Sequence, residues 1–240
     1  MANYPSRRPP PPNWMRPLTD RLTPTVQSIV IGLTLIYFFY VLVPPLTPWL
    51  AGHVLLGPGF WSGQLWQPAT ALAVNTHFSG WLFTLIGLWW VGSFIERVRG
   101  RQFFLTLLIV SGVLANLVAA VVARAVGDVM PRSDGAGFAL TGVFVSFARI
   151  YGARPAQIWG ALSMRADRFT WILLGFSLLV ALLNQDWAGF AAELTAIGAG
   201  VAITATGGDI WSRLGLSRPG AKARKYQVLD GGKGRPTDLN

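Results

Sequence analysis

The sequence predicts an all-α fold, a six-span transmembrane helical bundle with both termini on the cytoplasmic side. Three observations lead there. Hydrophobic residues make up 52% of the 240 and charged residues 12%, with a mean hydropathy of +0.45, too apolar for an ordinary soluble domain. Six apolar segments can be drawn at or near the scale of a bilayer core, about 20 helical residues. Lysine and arginine, finally, gather in alternate connections between those segments.

Residues 1–25 form a cytoplasmic tail with Arg7, Arg8 and the proline run Pro9 to Pro12. They do not read as a cleaved leader. The first apolar stretch, residues 26–43, runs into Pro44 and Pro45 with no small-residue cleavage site, so it is expected to stay as an anchor. Residues 44–67 are too broken by proline and glycine to span. Their Trp49, Phe60, Trp61 and Trp66 place them as an external loop on or in the outer interface, where such rings favour the headgroup zone. Further spans are expected at 69–91, 103–122, 138–150, 169–183 and 187–206. The fourth and fifth are short, so they are expected to be buried in the bundle, extended by their flanks, or begun partway into the membrane. The basic tail, 207–240, opens on a candidate interfacial helix at 209–216. Its remainder has the composition of a disordered segment, with a short docking peptide as the alternative.

Charge tests this topology independently. With an even number of spans and both ends inside, the cytoplasmic segments carry Arg7, Arg8, Arg16 and Arg21, then Arg97, Arg99 and Arg101, then Arg149, Arg154, Arg165 and Arg168, then seven basic residues in the tail. Arg124 and Arg132 fall outside, so eighteen of the 20 basic residues lie on one side, a strong positive-inside pattern. The net charge of +10 is thereby accounted for as a topology signal, and no nucleic-acid partner is expected. The absence of cysteine excludes disulfides, thiolate metal sites and cysteine nucleophiles. His53 and His77, the two histidines, lack further ligands at metal spacing and read as interfacial; neither metal nor cofactor is expected.

The stretch from Gly63 to Gly100, GQLWQPATALAVNTHFSGWLFTLIGLWWVGSFIERVRG, resembles the first loop and second span of the rhomboid intramembrane-protease family. There a Trp-Arg pair is followed by a threonine, an external histidine, a second histidine and an asparagine, then glycine, glutamate and glycine at the cytoplasmic end. Trp66, Thr70, Gly92, Glu96 and Gly100 match without a gap. The family's arginine then falls on Gln67, its histidines on Asn75 and Gly80, and its asparagine on Thr84. In the fourth span, Gly135 to Gly142 (GAGFALTG) resembles the family's Gly-x-Ser-Gly-x-x-x-Gly. Gly137 stands at the nucleophile position and Phe138 at the glycine that lets backbone approach the substrate. In the sixth span, AELTAIGAG resembles Ala-His-x-x-Gly-x-x-x-Gly, with Glu193 at the base position and Ala192, Ala196 and Gly200 as small residues for close helix contact. The resemblance implies a rhomboid-type bundle over about residues 63–206.

A serine activated by histidine, with donors for the oxyanion, is what such a protease requires. None of those groups stands at its matched position, so no catalytic residue and no enzyme activity is expected. Thr141, one turn after Gly137 on the same face, and Ser146, farther toward the cytoplasm, are the nearby hydroxyls. Glu193 is the residue that calls for explanation, since a carboxyl in mid-membrane costs roughly 2.5–3.5 kcal/mol or more unless satisfied. It is expected to be a neutral, protonated acid hydrogen-bonded to a neighbouring helix through Thr141, Thr84 or a backbone carbonyl. The sharper reading makes Glu193 and Thr141 a contact for a client helix, a lipid or an ion. Asn116, inside the third span, is expected to hydrogen-bond a neighbouring helix. The expected function is that of a rhomboid-fold pseudoprotease binding transmembrane helices of client proteins, or of a subunit in a membrane complex. The alternative is an intramembrane serine-type peptidase with an unusual site. Membrane lipids and transmembrane clients or partner subunits are the expected partners, in any oligomeric state. Arginine over lysine and the minimal six-span core favour a bacterial cytoplasmic membrane.

Overall fold

The computed structural model describes residues 22–127, 136–152, 155–158 and 162–207, all within the unit Met1–Asp209. The predicted tails, apart from residues 22–25 and 207, and with them the 209–216 helix, lie outside the described residues, as do Arg132 and Ser133. Among the described residues five helices are long and apolar enough to cross a membrane. A sixth apolar helix is shorter.

Helix α1 (Pro24–Leu42) starts on a proline, whose missing N–H costs nothing in a first turn, and ends before Pro44–Pro45. Its N-terminus is held from another element. The Glu96 carboxylate accepts from the Thr23 hydroxyl and from the Val26 backbone N–H. Four α1 residues are buried, Thr25, Val26, Leu33 and Tyr37, and Ile31, Leu35 and Phe38 face outward. An outward surface of this kind suits lipid.

The loop that follows folds into α2 (Thr47–His53), a 3-10 turn (Pro58–Ser62), α3 (Gln67–Thr70) and a second turn (Ala71–Ala73). The second span, α4 (Phe78–Arg99), therefore begins nine residues later than the expected residue 69. The cause is tertiary. Asn116 of α5 donates from Nδ2 to the Pro68 carbonyl at 2.9 Å, which ties α3 down, and Val74 leaves in extended conformation (φ −114°, ψ 118°). Asn116 thus hydrogen-bonds a neighbouring helix, as expected, and that helix belongs to the loop. A π-turn at Leu88–Gly92 widens α4 midway.

Gly100 takes φ +87°, a conformation that L side chains resist, and lets α5 (Arg101–Ala125) start on the next residue. Helix α6 (Gly137–Tyr151) has 15 residues, about 22 Å at the helical rise, and most of them are buried on every side. Strands β1 (Pro155–Ile158) and β2 (Leu162–Arg165) make an antiparallel hairpin, pairing Pro155 with Arg165 and Ile158 with Leu162, an addition to the helices that were expected. Helices α7 (Ala166–Leu183) and α8 (Trp187–Ala205) complete the order. The fifth span, drawn at 169–183, is extended by its flank, one of the alternatives expected for it: its helix begins at Ala166 and reaches 18 residues.

Helices α5, α6 and α8 form the central packing unit. Close approach of α6 and α8 depends on glycine. A Cβ on Gly200 would fall 2.8 Å from the Gly142 carbonyl oxygen and 3.1 Å from its Cα, distances that force the helices apart. Ala192 and Ala196, on the same stripe of α8, are fully buried. Below this contact Thr204 donates to Ser146 Oγ at 2.9 Å, so Ser146 is committed to the packing of α6 on α8.

Candidate functional site between α6, α7 and α8

Glu193 lies in the second turn of α8 and is 6% exposed. Thr141 of α6 donates to its Oε1 at 2.9 Å, one of the contacts expected of it. Thr141 is also 3.5 Å from the carbonyl of Gly137, one turn earlier on α6. An intramolecular hydrogen bond contributes about 0.5–1.5 kcal/mol net, which offsets part of the cost of placing a carboxyl in hydrocarbon. Ser177 of α7 supplies a second hydroxyl directed at the same carboxyl. Three helices thus converge on one acidic side chain. Among the described residues no lysine, arginine or histidine pairs with it.

Gly137 and Phe138 stand at the start of α6, beside this cluster. Among the described residues a Cβ on Gly137 would meet nothing within 4 Å, on the face of the helix that carries Thr141. Phe138 has the opposite character. Its ring packs, with Phe60 of the loop, against Leu56, Ala71, Ala115, Ala119, Ala120, Ala192 and Ala196. An aromatic plug therefore occupies the region where the loop, α5 and α8 meet α6.

The three remaining candidate positions are not joined to Glu193 by any described hydrogen bond. Asn75 is 2% exposed, and neither its Nδ2 nor its Oδ1 has a hydrogen-bond partner. Gly80 has open space where a Cβ would stand. Thr84 is buried in α4, three residues before Gly87, whose missing Cβ leaves room for Leu140 of α6. Gln67 is fully buried and organises the loop: its Oε1 accepts from the Gly57 N–H at 3.1 Å, and its Nε2 donates to the Gly52 carbonyl at 3.1 Å and to Gln64 at 2.7 Å. His53 is exposed, stacked on Trp49 at 5.0 Å, and its carbonyl accepts from the Trp66 indole. His77 opens α4 and contacts Thr76 at 2.9 Å.

Those motifs, in this order on this helical bundle, match one family. The rhomboid domain profile matches residues 62–209, more than half of the chain. The chain belongs to the rhomboid family. Comparison with curated proteins gave no match. As a rhomboid-family chain with five helices of membrane length, it is an integral membrane protein in contact with lipid.

Sequence reasoning missed Ser177 and Phe60. Ser177 lies outside the rhomboid motifs; the available signal was a hydroxyl within the apolar run Trp171 to Leu183. Phe60 gave no signal, because contact between the loop and α6 is decided by packing.

Proposed function

We propose that this rhomboid is a pseudoprotease, a membrane protein that binds transmembrane helices of client proteins, or of partner subunits, without cleaving them. One observation carries the reading: where α6 meets α8, Gly137 offers no nucleophile, and Phe138 and Glu193 stand in place of the oxyanion glycine and the general base. Glycine cannot be acylated, and a ring packed into an alanine-lined cluster removes backbone access for a scissile carbonyl. The Glu193–Thr141 pair then serves as a polar contact for the client helix or for lipid. In this reading the six apolar helices all span, both termini are cytoplasmic, and the membrane is the bacterial cytoplasmic one, supported by the distribution of arginine and lysine.

A second reading, an intramembrane peptidase with an unusual site, draws on a single contact. Thr141 Oγ1 and Glu193 Oε1, 2.9 Å apart, are a hydroxyl and a base within reach of each other. A fluorophosphonate probe, with Gly137→Ala as control, separates the two in nanodiscs. The pseudoprotease reading expects no labelled residue and no cleavage of model transmembrane substrates. Labelling or cleavage that is lost in Thr141→Val or Glu193→Gln would establish the peptidase.

A further inference from the structure

We infer that Glu193 selects clients: the side chain it takes is a lysine or arginine placed in the client's own transmembrane helix. This rests on the client-binding reading above and names the chemistry of that same site.

The argument begins with charge. The sequence has two glutamates, and they are used differently. Glu96 holds the N-terminus of α1 through Thr23 and Val26. Glu193 receives hydroxyls from Thr141 and Ser177 but has no basic partner among the described residues. Hydroxyl groups satisfy lone pairs and supply no positive charge, so the carboxyl is ionised there only against a cation brought to it. An acidic side chain in hydrocarbon and a basic one in a client helix each cost several kcal/mol alone, and pairing offsets both costs together. The bilayer itself supplies the selectivity, because a client without the cation gains nothing from the site.

Access comes from two places. Among the described residues nothing lies within 4 Å of where a Cβ on Gly137 would stand, on the same face of α6 as Thr141. On the other flank, the buried residues of α7 are Ala166, Thr170 and Leu174, all in its first half. The half bearing Ser177 packs loosely, with Phe176 at 67% and Leu183 at 74% exposure. A helix lying along that half of α7 comes within a long side chain's reach of Glu193. Depth follows from position. Glu193 is six residues into α8, about 9 Å along the axis from Trp187. The client's cation is therefore set about 9 Å below the membrane face at which α8 begins.

The test uses the full chain in nanodiscs and synthetic 21-residue leucine–alanine helices bearing lysine, leucine or glutamate six residues from one end, with binding read by energy transfer. The lysine peptide is expected to bind at least tenfold more tightly than the leucine peptide. Glu193→Gln is expected to abolish that preference, so that the lysine and leucine peptides bind alike, and Glu193→Lys to shift preference to the glutamate peptide. Retained helicity and a cooperative melting transition above the assay temperature control for folding of the variants. Equal binding of the lysine and leucine peptides, or a lysine preference that survives in Glu193→Gln, overturns the inference and leaves client binding standing. Binding of no peptide at all overturns both. Protection of Glu193 from dicyclohexylcarbodiimide by sodium but not choline chloride, with no lysine preference, would assign the carboxyl to a small cation and overturn the inference as well.

Discussion

At the scale of single residues, the polar groups inside the bundle divide into those that are paired and those that are not. Thr141 is paired with Glu193, so Thr141→Val is expected to lower stability by about 1–3 kcal/mol, the cost of an unsatisfied buried acceptor. Thermal melting in mild detergent measures it, and Thr141→Ser, which keeps the hydroxyl, is expected to lose less. Asn75 is the opposite case. Its amide is buried with no hydrogen-bond partner, so Asn75→Leu removes a desolvated polar group and is expected to leave melting unchanged or raise it; a fall of several degrees would show that the amide is satisfied. Gly137→Ser meets no steric obstacle. That variant is expected to fold as the parent does and still to cleave nothing, because Phe138 and Glu193 remain; detectable cleavage of a model transmembrane substrate would refute this. The identities at 137, 138 and 193 were legible from the motifs. The hydrogen bond of Thr141 to Glu193 was one of several options, since spacing along α6 puts a hydroxyl on a face and does not say which helix lies opposite.

Elements are held by two devices of different kinds. Between α6 and α8 the device is close approach, and Gly200→Val would drive a branched side chain into the backbone of Gly142. Overpacking of this sort costs about 1–3 kcal/mol, and the loss is expected to appear as a lower melting temperature with helicity retained below the transition. In the loop the device is the Gln67 amide, which bonds Gly57 and Gly52 at once. Gln67→Leu is expected to leave both groups unpaired and to make residues 44–73 several-fold more susceptible to limited proteolysis, with the helices protected. Arg124 adds a clasp from α5, its guanidinium 5.0 Å from the centre of the Trp61 ring. The small residues of α8 announced a close contact in the sequence. The late start of α4 was marked only by Asn75, Thr76 and His77, a polar break in the apolar run, and the turn before it is tied down by Asn116, 48 positions from Pro68.

For the whole molecule the prediction concerns sidedness. Reporter fusions at residue 1 and after residue 206 are both expected to score cytoplasmic, and a fusion between 127 and 136 to score on the opposite side. A split result for the two termini would remove one span, and α6, at 15 residues, is the helix it would remove. The short α6 has a physical explanation in its burial: surrounded by α4, α5, α7 and α8, it has protein on its sides, so its length is not set by the thickness of hydrocarbon.

The sequence by itself determined that the chain is a bundle of apolar helices, where its charge is concentrated, and which family its motifs resemble. Those are properties of composition and linear spacing, and hydrocarbon enforces them segment by segment. Tertiary structure decided what surrounds the motif residues: that Phe138 fills an alanine-lined cluster with Phe60, that Ser177 joins Thr141 at Glu193, and that no described basic side chain pairs with the carboxyl. Such contacts join residues tens of positions apart, and only the packing of helices against one another selects which of them meet.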